Sequence, residues 1–127
     1  MVGGPMSKRI LIVDDDPEVV KLFSFVLKRA GYEIETALGG EVALHQIRQS
    51  PPDLIVLDVM MPGLDGYEVT RQLRAQPDTA AVPIVMLTAR ALPSEQVTGI
   101  LAGATSYLVK PVTPSVLVKT VQEILAG

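Results

Sequence analysis

Apolar residues along this chain gather in short runs, separated by longer stretches in which they recur at helical spacing. Ile10-Leu11-Ile12-Val13 is the first run, and Ser106-Tyr107-Leu108-Val109 is the last. Leu54-Ile55-Val56-Leu57 and Ile84-Val85-Met86-Leu87 are apolar at every position, as expected of parallel strands covered on both faces. Glu33-Ile34-Glu35-Thr36-Ala37 alternates instead, which predicts a half-exposed edge strand. Helices are predicted between the runs. Asp16 caps the first, Pro17 occupies its first position, and Gly31 ends it just after residue 30. Its predicted inner stripe is Val19, Phe23, Val26, Leu27 and Ala30. Further helices are predicted over about 40–49, 66–75 (capped by Asp65), 94–101 and from the Thr113-Pro114 cap to about 125. The fourth is expected to be weak because Gly99 falls inside it.

Strictly alternating strands and helices predict an α/β fold with a parallel sheet and helices on both faces. Right-handed crossovers and an edge-like second strand favour a single flavodoxin-like, doubly wound domain. Its sheet has five strands in the order 2-1-3-4-5, joined by five helices. The polar residues that end the apolar runs then line one rim of the sheet. The first run ends in Asp14-Asp15-Asp16, the third in Asp58, the fourth in Thr88 and the fifth in Lys110. That rim is where open α/β sheets bind ligands. Asp16 is explained by capping alone, whereas a carboxylate ending a buried strand, as Asp58 does, calls for another reason.

Composition narrows the chemistry. The chain has 127 residues, 48% of them hydrophobic and 20% charged, which is globular composition for one domain. It has no cysteine and one histidine, His45, so thiolate chemistry and multi-histidine metal sites are excluded. A net charge of −3 without a basic run argues against a nucleic-acid surface. No apolar run approaches the roughly 20 residues that span a bilayer. Clustered carboxylates repel by roughly 4 kcal/mol per pair at ~4 Å and an effective dielectric near 20. Lys110 and a hard divalent cation are the compensation available, and oxygen-only ligands suit Mg²⁺, with Mn²⁺ as a substitute. Carboxylates, Mg²⁺, a hydroxyl and a lysine suit phosphoryl transfer, in which an aspartate can be the nucleophile.

Four stretches in order carry a resemblance: Ile10 to Asp16, Asp58-Val59-Met60-Met61-Pro62-Gly63-Leu64-Asp65-Gly66, Leu87-Thr88-Ala89 and Tyr107-Leu108-Val109-Lys110-Pro111. The chain resembles the receiver domain of two-component response regulators over about residues 8–125. The resemblance implies that Asp58 accepts a phosphoryl group from a phosphohistidine on a sensor kinase or phosphotransfer protein. It implies Mg²⁺ held by Asp15, Asp58 and the Met60 carbonyl, with Asp14 acting through a metal-bound water. Thr88 and the Ala89 amide would contact phosphoryl oxygens, and Lys110 would pair with the group ahead of a cis peptide at Pro111. Tyr107 would be the switch that follows Thr88 inward and alters the surface of the last helices and strand. Met60 and Arg90 would tune dephosphorylation. The chain would be no enzyme beyond catalysing its own phosphorylation and dephosphorylation.

The remaining expectations concern context. Residues 1–7 read as a flexible leader and 8–125 as the domain, with no output domain in the chain. The expected partners are a phosphodonor and a downstream effector or fused output domain, without nucleic acid or membrane, in the cytoplasm. Thr105 and Ser106 stand where many receivers carry acids that build a charged dimer face, so a monomer or weak dimer is expected. At 100° per residue Phe25 falls off the first helix's stripe, near Glu18 and Arg29, and is a candidate docking contact for the phosphodonor. A haloacid-dehalogenase-like phosphatase is disfavoured because Glu18 stands where Thr or Val is needed. Nucleotide-binding glycine motifs are absent. The alternative reading is an interaction module of the same fold that works without phosphate.

Overall fold

The computed structural model describes residues 7–89 and 93–126. The expected leader therefore lies outside the described residues except for Ser7, and so does Arg90. The elements are β1 (Arg9–Val13), α1 (Pro17–Arg29), β2 (Glu33–Ala37), α2 (Gly40–Gln49), β3 (Leu54–Asp58), α3 (Gly66–Arg74), β4 (Ile84–Thr88), α4 (Pro93–Ala102), β5 (Ser106–Val109) and α5 (Pro114–Ala126). All four strand pairings are parallel, and the order is β2-β1-β3-β4-β5. Five helices and this order make the flavodoxin-like fold that the alternation predicts.

Strand pleating sends alternate side chains to opposite faces, which builds two cores. Leu11, Val13, Ile55, Leu57, Ile84 and Met86 meet Ala43, Leu44 and Ile47 of α2, Val69 and Leu73 of α3, and Ala102 of α4. Ile10, Ile12, Leu54, Val56, Val85 and Leu87 meet α1 and α5 through Val20, Phe23, Leu27, Leu117 and Val121. Every residue of β3 and β4 is buried, whereas β2 at the edge buries only Ala37. Fully burying side chains of this size contributes roughly 1.5–3 kcal/mol each.

The caps act as predicted. Asp16 Oδ1 accepts from the Glu18 amide at 3.0 Å, and Asp65 Oδ1 accepts from the Glu68 amide at 2.9 Å. Thr113 Oγ1 accepts from the Val116 amide at 3.3 Å, which starts α5. One sequence expectation needs correction. The buried line of α1 is Val20, Phe23 and Leu27, while Val19 packs only at its margin. The helix is rotated so that Val19 borders a groove with Leu22, Pro111 and Val112. Helix α4 runs through Gly99 without interruption. A Cβ there would lie 2.6 Å from two ring carbons of Tyr107, so the glycine meets a packing demand.

Arg74 at the end of α3 ties down the edge of the sheet opposite the polar rim. Its Nε donates to the Gly103 carbonyl at 3.0 Å, and its Nη1 donates to Val82 and Ala80 carbonyls at 2.7 and 3.0 Å. Burial lowers the pKa of this guanidinium. Thr105 has a structural use of its own, since its Oγ1 accepts from the Ile84 amide at 3.0 Å.

Candidate functional site

Strand register brings the chemistry together. Val13 lies beside Leu57, Asp58 beside Leu87, and Thr88 beside Val109. The residues that follow β1 and β5 and those that end β3 and β4 are therefore level with one another at the carboxyl edge. The Asp14 amide bonds the Ala37 carbonyl at 3.2 Å, and the Lys110 amide bonds the Thr88 carbonyl at 2.6 Å, which fixes both loop starts.

Asp14, Asp15 and Asp58 each bring a carboxylate oxygen within 4.8 Å of the others. Asp14 and Asp58 are buried, at 2% and 3% exposure, whereas Asp15 is exposed. Asp14 Oδ1 accepts from the Asp16 amide at 3.0 Å, which orients it. Lys110 Nζ donates to Asp58 Oδ1 at 3.0 Å and to Asp14 Oδ2 at 3.3 Å. Burial raises the Asp58 pKa; the Lys110 hydrogen bond and charge oppose this, and the Asp14 and Asp15 charges add to it. For Lys110, burial works to lower the pKa, but the hydrogen bonds and charges of Asp58 and Asp14 outweigh it and the pKa is raised. Three carboxylates against one ammonium leave two negative charges in excess when all are ionised. A hard divalent cation cancels that excess, and the all-oxygen donor set fits Mg²⁺.

The other expected site residues surround this cluster. Thr88 is fully buried at the end of β4, and Ala89 after it is exposed. The Lys110–Pro111 peptide is cis. The Met60 side chain is 53% exposed in the loop after β3. Gly66 opens α3 beneath that loop, where a Cβ would lie 2.6 Å from the Asp58 carbonyl oxygen and 2.9 Å from Val59 Cα. Its amide bonds the Val59 carbonyl at 3.0 Å. Tyr107 is half-buried and packs against the α2–α4 core. Phe25 is 60% exposed, with the Arg29 guanidinium 5.7 Å from its ring centroid, so it does not pack under a loop. The apolar groove of about 410 Å³ between α1 and the Pro111 loop reaches Lys110. His45 lies on the exposed side of α2, with no part in the cluster.

Sequence reasoning missed two residues beside Tyr107, namely Tyr67 and Glu95. Tyr67 Oη bonds Glu95 Oε2 at 2.9 Å and lies 3.2 Å from Tyr107 Oη. The pairings span 28 and 40 residues, and no motif or local spacing announces them.

Fold and site together define a flavodoxin-like α/β domain with an acidic pocket at the carboxyl edge of its sheet. The chain belongs to the response regulator receiver domain family, whose family model matches residues 10–122. It is 46% identical over 120 residues to the alkaline phosphatase synthesis transcriptional regulatory protein PhoP of Bacillus subtilis, covering 94% of this chain and 49% of PhoP. Protein PilH of Pseudomonas aeruginosa is 38% identical over 119 residues, covering 94% of this chain and 98% of PilH. This chain therefore spans about half the length of PhoP and nearly all of PilH. Among solved structures, the chemotaxis response regulator CheY4 of Vibrio cholerae superposes with a TM-score of 0.89 at 38% identity, covering 94% of this chain and 99% of CheY4. The BeF3-activated DrrB receiver domain superposes with a TM-score of 0.85 at 32% identity, covering 96% of this chain and all of the other. Among the described residues, no helix is long and apolar enough to cross a membrane.

Proposed function

We propose that Asp58 takes a phosphoryl group from a phosphohistidine on a sensor kinase or phosphotransfer protein. The observation that carries this reading is the burial of Asp58 among two further carboxylates with Lys110 donating to it at 3.0 Å. A carboxylate oxygen of Asp58 attacks phosphorus, the P–N bond breaks, and its electron pair stays on the donor imidazole. An acyl phosphate results. Asp15, Asp58 and the Met60 carbonyl would hold Mg²⁺, with Asp14 engaging it through water. The cation would neutralise charge on the phosphoryl oxygens. Lys110 supplies positive charge from the other side, and Thr88 and the Ala89 amide donate to the transferred group. Lys110 and the cation offset a repulsion that otherwise opposes any dianion approaching the three carboxylates.

The chain catalyses only its own phosphorylation and dephosphorylation. Phosphorylation then biases Thr88 and Tyr107, and with them the α4-β5-α5 surface presented to an effector or a fused output domain. Its place is the cytoplasm, as a monomer or weak dimer without nucleic acid. The donor would sit over the groove lined by Val19, Leu22, Pro111 and Val112, and Phe25, exposed on the same helix, would contact it. Mass spectrometry after incubation with acetyl phosphate and Mg²⁺ tests the reading. A gain of one phosphoryl group that Asp58→Ala abolishes is the expected result; no gain favours a module that works without phosphate.

A further inference from the structure

Tyr107 on β5 reaches two other elements. Its hydroxyl lies 3.2 Å from that of Tyr67, in the first turn of α3. Tyr67 Oη in turn lies 2.9 Å from Glu95 Oε2, in the first turn of α4. Each phenol has one proton, and a carboxylate only accepts. Tyr67 therefore donates to Glu95, and Tyr107 donates to Tyr67. The bond to the carboxylate is the stronger of the two and sets the direction of the chain. Burial raises the Tyr67 pKa, and its bonds to Tyr107 and Glu95 raise it further, so its proton stays in place.

The ring of Tyr107 has its own berth. Gly99 stands four residues after Glu95, on the same face of α4. Its missing side chain leaves the space that Tyr107 Cδ2 and Cε2 fill, 2.6 Å from where a Cβ would lie. Helix α4 thus offers the ring bare backbone, and through Glu95 it anchors the hydroxyl that receives Tyr107.

We propose that Tyr67 is a positioning residue of the switch: backed by Glu95 and flanked by Gly99, it forms the seat that receives the Tyr107 hydroxyl when the ring turns inward. The proposal rests on the phosphoacceptor reading. A seated ring ties β5 to α3 and α4 at once. If phosphorylation favours the seated ring, the seat by linkage favours the phosphorylated form to the same extent.

The test is the affinity of the whole chain for beryllofluoride with Mg²⁺, read together with the ring NMR signals of Tyr107. Tyr67→Phe keeps the ring and removes only the seat's hydroxyl. It is expected to weaken the apparent affinity about threefold to tenfold, the worth of one hydrogen bond, and to move the Tyr107 signals. Gly99→Ala crowds the ring without touching a hydrogen bond and is expected to act in the same direction. An unchanged or tighter affinity in Tyr67→Phe overturns the proposal, whatever happens to thermal stability. Failure of the unmodified chain to bind beryllofluoride overturns the phosphoacceptor reading itself.

Discussion

Lys110 Nζ donates to Asp58 Oδ1 at 3.0 Å, joining residues 52 apart in the chain. The same ammonium reaches Asp14 at 3.3 Å, so one cation serves two buried carboxylates. Lys110→Met would leave both without it. The expected cost in metal-free stability is about 2 kcal/mol, below the figure for a fully buried pair because Lys110 is 29% exposed. Phosphorylation by acetyl phosphate should slow by about a hundredfold, as when one donor to a developing charge is removed. A denaturation curve and a time course of mass gain check the two effects.

Asp58 gives the metal-free chain a pH signature. Its folded pKa is raised, chiefly by burial. The folded chain therefore holds this proton more tightly than the unfolded chain does. The associated stability is fully present below the ordinary carboxylate pKa and is lost as pH rises through the raised value. Asp58→Asn removes the penalty. The variant should match the unmodified chain in acid and exceed it at neutral pH by on the order of 1 kcal/mol, the size of a functional-site trade-off. Urea unfolding in chelator across this range would show the gap open with rising pH. A gap that closes would contradict the sign.

Divalent cation should stabilise the unmodified chain. Saturating Mg²⁺ at about 100 times its dissociation constant adds roughly 2.7 kcal/mol to a chain that binds it only when folded. The unmodified chain should gain this and Asp15→Asn should gain little, because Asp15 is the exposed member of the cluster and the one open to an incoming ion. Thermal unfolding with and without Mg²⁺ measures the difference.

Gly66 supports Asp58 from below. A Cβ there would meet backbone atoms of Asp58 and Val59 at 2.6 and 2.9 Å, and backbone does not yield as a side-chain tip does. Gly66→Ala should destabilise by about 1–3 kcal/mol, the usual range for overpacking. It should also displace Asp58 and slow its phosphorylation even at temperatures where the fold persists. Circular dichroism and the mass-gain assay together separate the two effects.

Phe25 is exposed on α1 with Arg29 against its ring. Phe25→Ala should leave reaction with acetyl phosphate intact and slow transfer from a phosphohistidine protein. Equal loss with both donors would remove Phe25 from the docking surface.

Periodicity predicted the element order, since continuous apolar runs such as Ile84 to Leu87 suit strands covered on both faces, and right-handed crossovers with the edge-like alternation of Glu33 to Ala37 then favoured the strand sequence 2-1-3-4-5. The residues that end those runs were legible for the same reason: a strand end has a fixed place on the rim. Asp14, Asp15, Asp58, Thr88 and Lys110 could therefore be named from the chain alone. Helix rotation was less legible. Val19 and Val20 are equally apolar, and only packing against β1 and β3 decides which is buried. Tertiary structure alone decided the Tyr107–Tyr67–Glu95 chain and the need for Gly99. A hydrogen bond between distant side chains, or the space a ring occupies above a glycine, leaves no periodic trace in sequence. Such contacts exist only once three separately specified elements have packed together.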